Sequence, residues 1–108
     1  MRRAIDSVLE QVYDNWELIV IDNHSTDKTD ELIRSYQNSK INCLKIHNNG
    51  IIAKSRNLGI KLSKGKWIAF LDADDYWLKN KLRTINKLIR ERKFFDLVCH
   101  SEWLLNLN

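Results

Sequence analysis

The order of apolar and polar positions divides the chain into alternating helices and strands. Ala4, Ile5, Val8, Leu9 and Val12 recur on one helical face, and Tyr13-Asp14-Asn15 breaks that spacing. Trp16-Glu17-Leu18-Ile19-Val20-Ile21 is a short aromatic and β-branched run whose continuous apolar end predicts a strand covered on both faces. It stops at Asp22-Asn23-His24-Ser25-Thr26-Asp27, all residues that favour turns and helix caps. A helix is expected from about Asp27 to Gln37, with Leu32, Ile33 and Tyr36 inward, then a strand over Ile41–Ile46 and a loop at His47-Asn48-Asn49-Gly50. Ile52 to Lys64 predicts a third helix, with Gly65 where a left-handed C-cap belongs. Lys66-Trp67-Ile68-Ala69-Phe70-Leu71 has the clearest strand pattern and ends in Asp72-Ala73-Asp74-Asp75. A fourth helix over about Leu78 to Arg92 carries Leu82, Ile85, Leu88 and Ile89 on one face, and Asp96 to Cys99 has the pattern of a last strand.

This alternation predicts an α/β fold with a parallel sheet and helices on both faces. A doubly wound domain usually opens on a strand, whereas this pattern opens on a helix. At 108 residues, 44% of them hydrophobic and 30% charged, the chain has the size of one small soluble domain. No apolar run approaches the ~20 residues of a membrane span. Cys43 and Cys99 are too few for a disulfide framework and read as reduced, partly buried thiols. The net charge of +4 suits an anionic partner without choosing among nucleic acid, phosphate ligand and acidic membrane; no nucleic-acid-binding motif accompanies it.

Open α/β sheets bind ligands beyond the carboxyl ends of their strands. Two expected strands end in acidic loops there, one at Asp22 and the other at Asp72, Asp74 and Asp75. Carboxylates gathered at one edge repel each other, and a hard divalent cation relieves that repulsion while also binding substrate phosphates. The plain alternative is an Asp-rich turn, with Asp75 capping a helix from Tyr76. His24 lies in a turn without an evident cysteine or histidine partner and reads as a solvated loop residue, as do His47 and His100. Trp67 reads as core, while Trp77 flanks the acidic loop. Lys79, Lys81, Arg83, Lys87, Arg90, Arg92 and Lys93 make the last helix basic, which fits either a solvated face or contact with anionic lipid.

Four segments resemble family 2 glycosyltransferases in the family's order and spacing. Lys66 to Trp77, with Asp72-Ala73-Asp74-Asp75, looks like the family's hallmark segment. Trp16 to Thr29 is similar to its first strand-end motif, Arg56-Asn57-Leu58-Gly59-Ile60 to a third, and Ala4 to Gln11 to its first helix. Together they cover nearly the whole chain.

The resemblance implies the Rossmann-like GT-A nucleotide-diphospho-sugar transferase fold, here an incomplete form of it. Residues 1–108 would be a single partial donor-binding domain. The implied activity is inverting, metal-dependent transfer of a sugar from a nucleotide-sugar donor, a UDP-sugar foremost. The acceptor is a hydroxyl on a carbohydrate or lipid-linked molecule, as in bacterial surface polysaccharide or lipopolysaccharide synthesis. Asp74 would be the principal ligand of Mn²⁺ or Mg²⁺, with Asp72 beside it against the donor's ribose and diphosphate. Asp22 and Asn23 would lie near the nucleoside, Ser25 and Ala73 in the same donor-binding set, and Arg56 toward the donor phosphates, where its fork suits phosphate. Relatives often carry aspartate at position 23; the Asn23 carbonyl is expected to accept the base's N–H in its place. The implied location is cytoplasmic, with peripheral contact at the inner face of an anionic membrane.

Relatives begin with a strand that this chain lacks, and their acceptor-binding half, which carries the general base, is expected beyond Asn108. Two functions follow: the donor-binding half of a transferase, or a truncated remnant with weak or no nucleotide and metal binding. A receiver-type Mg²⁺ module is disfavoured, because it opens on a strand followed by paired acids.

Overall fold

The computed structural model describes residues 1–25, 28–92 and 96–98. Helix α1 spans Arg2–Leu9 and buries Ala4, Ile5 and Val8, each under a tenth exposed. This is the helical face that the spacing predicts, although Val12 lies past the helix end and is 54% exposed. Ser7 also faces inward; its hydroxyl donates to the Ala4 carbonyl at 2.7 Å and accepts from the Trp77 N–H at 3.0 Å.

Strand β1 (Leu18–Asn23), helix α2 (Lys28–Ser35) and strand β2 (Ile41–Ile46) form a parallel crossover unit. The register runs from Leu18 opposite Ile41 to Asn23 opposite Ile46. Asp30 and Glu31 in the first turn of α2, with Arg34 in its last, suit the helix dipole. Two polar contacts fasten α2: Asp30 pairs with Lys45 of β2 at 2.6 Å, and the Tyr36 hydroxyl, just past α2, donates to Asp6 of α1 at 2.6 Å.

Helix α3 (Ile52–Leu62) packs on β1, with Gly59 against Ile21. Its end differs from expectation. The C-cap residue is Ser63 in extended conformation, and Gly50 is the positive-φ glycine instead of Gly65. The turn is held from outside, because the Glu17 carboxylate accepts from the N–H groups of Lys64 and Gly65 at 2.5 and 3.0 Å. A charged acceptor shared by two amides does the work assigned to a left-handed glycine.

The sheet formed by the described residues has two strands, β1 and β2. Lys66–Leu71 does not join it, contrary to the strand pattern, and Asp96–Val98 do not pair either; Cys99 lies outside the described residues. Strand propensity becomes a strand only when a neighbouring backbone supplies the ladder. Without one, Trp67, Ile68 and Phe70 remain 38, 43 and 53% exposed, so the expected core role of Trp67 is not observed. Helix α4 (Lys81–Glu91) starts after Asn80, later than expected, and its apolar residues are half-buried. The α/β class is as expected, while the layering is slighter, with one parallel pair and four helices among the described residues.

Gln11 binds the start of α4 to α1. Its Nε2 donates to the carbonyls of Ser7 and Leu78 at 3.0 and 2.7 Å, and its Oε1 accepts from the Leu82 N–H at 3.0 Å. The Val12 N–H adds a backbone bond to Lys79. Leu82 is in the first turn of α4, where N–H groups lack intrahelical partners, so a side chain 71 residues away caps this helix.

Candidate functional site

Both strands of the parallel pair run out at the same edge, where β1 delivers Asp22 and Asn23. Asp22 is 1% exposed. One of its carboxylate oxygens, Oδ1, accepts from the N–H of Ser25 at 3.1 Å and from the Ser25 hydroxyl. The other, Oδ2, is buried without a partner among the described residues. A buried carboxylate oxygen left unpaired is costly, and such a group is a candidate for meeting a ligand. Ser25 is placed to hold Asp22, a contact that the turn signal in the sequence does not reveal.

Asn23 is tied to the loop after β2. Its Oδ1 accepts from the Asn48 N–H at 3.0 Å. Asn48, buried at 6% exposure, in turn accepts from the Gly50 N–H at 2.8 Å and donates to the Ser55 hydroxyl at 2.9 Å. It thereby joins both strand ends to the first turn of α3. Sequence reasoning marks residues 47–50 as a loop without finding this role; the signal present is the Asn-Asn-Gly turn chemistry alone.

His24 and His47 follow the last rung of the ladder, one after each strand, and their rings meet edge to face with centroids 4.7 Å apart. The expectation that His24 lacks a histidine partner is therefore corrected. The register brings together residues that are 23 positions apart. His24, Asn49 and Gly50 all have positive φ, so the strand-end loops concentrate left-handed backbone, a strain that proteins commonly keep at functional sites.

Arg56 reaches from α3 to the acidic loop, with Nη2 3.2 Å from Oδ1 of Asp72 and the guanidinium 5.6 Å from the Phe70 ring centroid. Asp72-Ala73-Asp74-Asp75 is a turn closed by the Asp75 N–H on the Asp72 carbonyl at 3.1 Å. Asp75 does not cap a helix here, since α4 begins at Lys81. Asp72, Ala73 and Asp74 are exposed. Among the described residues no three acidic, histidine or cysteine side chains converge into a ready metal cage. Two carboxylates on one exposed turn suit a hard cation that completes its shell with diphosphate oxygens and water.

Cys43 lies on β2, half-buried and free. Burial, reinforced by the charges of Asp22 and Asp30, pushes its thiol pKa up, which favours the neutral thiol. A shallow groove of about 350 Å³ beside it is lined by Glu17, Ile19, Leu44 and Leu62. It lies toward the amino ends of the strands, away from Asp22.

The profile of Glycosyl transferase family 2 matches residues 1–102. The chain belongs to this family. Its fold class is accordingly the Rossmann-like GT-A type, of which the parallel pair and its helices are a part. Similar curated proteins include the Escherichia coli UDP-Glc:alpha-D-GlcNAc-diphosphoundecaprenol beta-1,3-glucosyltransferase WfaP, 40% identical over 94 residues, or 86% of this chain and 38% of that protein. A putative teichuronic acid biosynthesis glycosyltransferase, TuaG of Bacillus subtilis, is 34% identical over 91 residues, covering 82% of this chain and 36% of its own length. An uncharacterized glycosyltransferase of Rickettsia bellii is 45% identical over 93 residues, 85% of this chain and 13% of that protein. The family 2 chain thus spans well under half the length of these relatives.

Proposed function

We propose that the chain forms the donor-nucleotide part of an enzyme that transfers a sugar, with inversion, from a nucleotide-sugar to an acceptor hydroxyl in bacterial surface-polysaccharide synthesis. The observation that carries this reading is the buried, half-satisfied Asp22 carboxylate at the carboxyl end of a parallel strand. Through Asn23, Asn48 and Ser55 the same edge leads to Arg56 and Asp72. Asp22 and Asn23 would receive the nucleoside, and Arg56 would exchange its exposed partner Asp72 for donor phosphate. Asp74, with Asp72, would hold Mn²⁺ or Mg²⁺, whose charge offsets that of the diphosphate.

The names of the relatives support the substrate class. WfaP acts with UDP-glucose on a diphosphoundecaprenol-linked sugar, and TuaG is assigned to teichuronic acid biosynthesis. A UDP-sugar and a lipid-linked acceptor are the partners proposed here. Among the described residues no helix is long and apolar enough to cross a membrane. Lys79, Arg83, Lys87 and Arg90 recur at helical spacing along the exposed side of α4, with Lys79 just ahead of it, and would lay the protein on the anionic inner face of a membrane.

The test is titration of UDP into the chain with and without Mn²⁺. Mn²⁺ is expected to tighten binding, and Asp74→Ala to remove most of that gain while His24→Ala changes it little. Equal affinity with and without the metal would overturn the metal assignment.

A further inference from the structure

His24 and His47 stand at one level beyond the sheet, each a single residue past the last rung, where Asn23 pairs with Ile46. Their backbones are tied together there. Asn23, just before His24, accepts at 3.0 Å from the N–H of Asn48, just after His47, and Asn48 is itself buried and bonded to Gly50 and Ser55. His24 is further confined by its positive φ of 55°. Both histidines are exposed, and their rings meet with centroids 4.7 Å apart and planes at 76°. Among the described residues neither ring nitrogen takes part in a hydrogen bond.

That spacing is the one a shared metal ion requires. An imidazole holds zinc at about 2.0–2.1 Å from the ligating nitrogen, along a line through the ring. Two rings on one ion, at a tetrahedral or octahedral angle, therefore have centroids about 4.5–5.2 Å apart. The centroid of a histidine ring lies close to the Cβ–Cγ axis. Rotation about χ2, a soft torsion, thus aims a nitrogen of each ring at a common point without changing the separation. The interplanar angle is no obstacle, because each ring can turn about its own metal–nitrogen bond. Imidazole suits borderline ions such as Zn²⁺, Ni²⁺ and Cu²⁺, whereas Mg²⁺ prefers oxygen.

We infer that His24 and His47 form a two-histidine binding site for a borderline divalent ion, Zn²⁺ foremost, made from different ligands than the hard-cation turn at Asp72 and Asp74. Water fills the remaining positions, so the site is open, unlike a structural zinc site with four protein ligands. The backbone that carries both rings is set before the ion arrives, and little ordering opposes binding.

The ¹⁵N-labelled chain is titrated with Zn²⁺ in excess Mg²⁺, which occupies oxygen sites, at about pH 7.5, where protons compete weakly with the metal. The ring nitrogens of all three histidines and the backbone amides of residues 22–25 and 47–50 are followed. The rings of His24 and His47 are expected to shift together, with one midpoint and one equivalent of Zn²⁺. Losing even an outer partner of a metal site costs 10–100-fold, so His47→Gln and His24→Asn should each weaken Zn²⁺ at least about tenfold. Asparagine tolerates the left-handed backbone at position 24, and the dispersion of each variant's spectrum reports that it folds. His100→Gln should leave the affinity unchanged. The inference is overturned if Zn²⁺ moves only one of the two rings or neither, if its affinity survives in either histidine variant, or if His100→Gln abolishes binding.

Discussion

Arg56 and Asp72 face each other across the acidic edge at 3.2 Å, and each side chain is about half exposed. An exposed pair of this kind adds little to stability, because water screens it and two flexible side chains must be held still. Arg56→Ala is therefore expected to change the unfolding free energy, measured by chemical denaturation, by less than about 0.5 kcal/mol. The same substitution should weaken UDP binding about tenfold, since a guanidinium fork fits phosphate better than water does. Calorimetry and denaturation on one sample separate the two roles. A large stability loss with unchanged binding would make Arg56 a structural residue.

Gln11 should behave in the opposite way. Its three hydrogen bonds reach Ser7, Leu78 and Leu82, and its side chain is buried. Gln11→Ala strands the Leu82 N–H and removes the side-chain donor from the Ser7 carbonyl, while the Leu78 carbonyl keeps the Lys81 N–H, at a cost of about 1–3 kcal/mol. Urea unfolding should show that loss, together with faster amide exchange at the start of α4. An unchanged urea midpoint would mean that water replaces the amide readily.

Tyr36 gives stability a dependence on alkaline pH. Its pKa is pushed up from 10.0 to about 12, first by burial and then by the hydrogen bond to Asp6, whose carboxylate would repel a phenolate. The folded state therefore holds this proton more tightly than the unfolded chain. The resulting stabilisation is fully present below about pH 10 and is lost as pH rises toward 12. Tyr36→Phe should flatten the fall in melting temperature across that window. An equally steep fall in the variant would assign the alkaline loss to other groups.

Gly59 offers a stabilising substitution. A Cβ added there would lie 3.8 Å from Ile21, an ordinary contact, and the site is inside α3. Gly59→Ala should raise stability by about 0.5–1 kcal/mol through helix propensity. A lower urea midpoint would show that α3 lies closer to β1 in solution than this spacing implies.

Periodicity is enough to place β2 at Ile41–Ile46 and to mark the buried face of α1, because both patterns are local. Features that depend on distant neighbours are not legible in this way. Lys66–Leu71 has strand composition, but a ladder needs a second backbone, and composition cannot say whether one is adjacent. The His24–His47 contact follows from strand register, and the Asn23–Asn48 bond from how two loops meet beyond it. Gly65 misleads because the turn that a left-handed glycine would close is closed instead by Glu17, 48 positions earlier. Of the candidate site, the acidic strand end at Asp22 is visible in advance, whereas the unpaired state of Oδ2 and the bond from Asn48 to Asn23 emerge only from three-dimensional partners.

The bond from Leu82 to Gln11 also sets an order of events during synthesis. Helix α1 is made before the backbone that binds its end, from Trp77 to Leu82, which is translated some seventy residues later. At about 5–20 residues per second, that end of α1 waits several seconds for its partners. Until then Ser7 and Gln11 lack their distant partners, so α1 is locked in place only once the segment leading into α4 has been made.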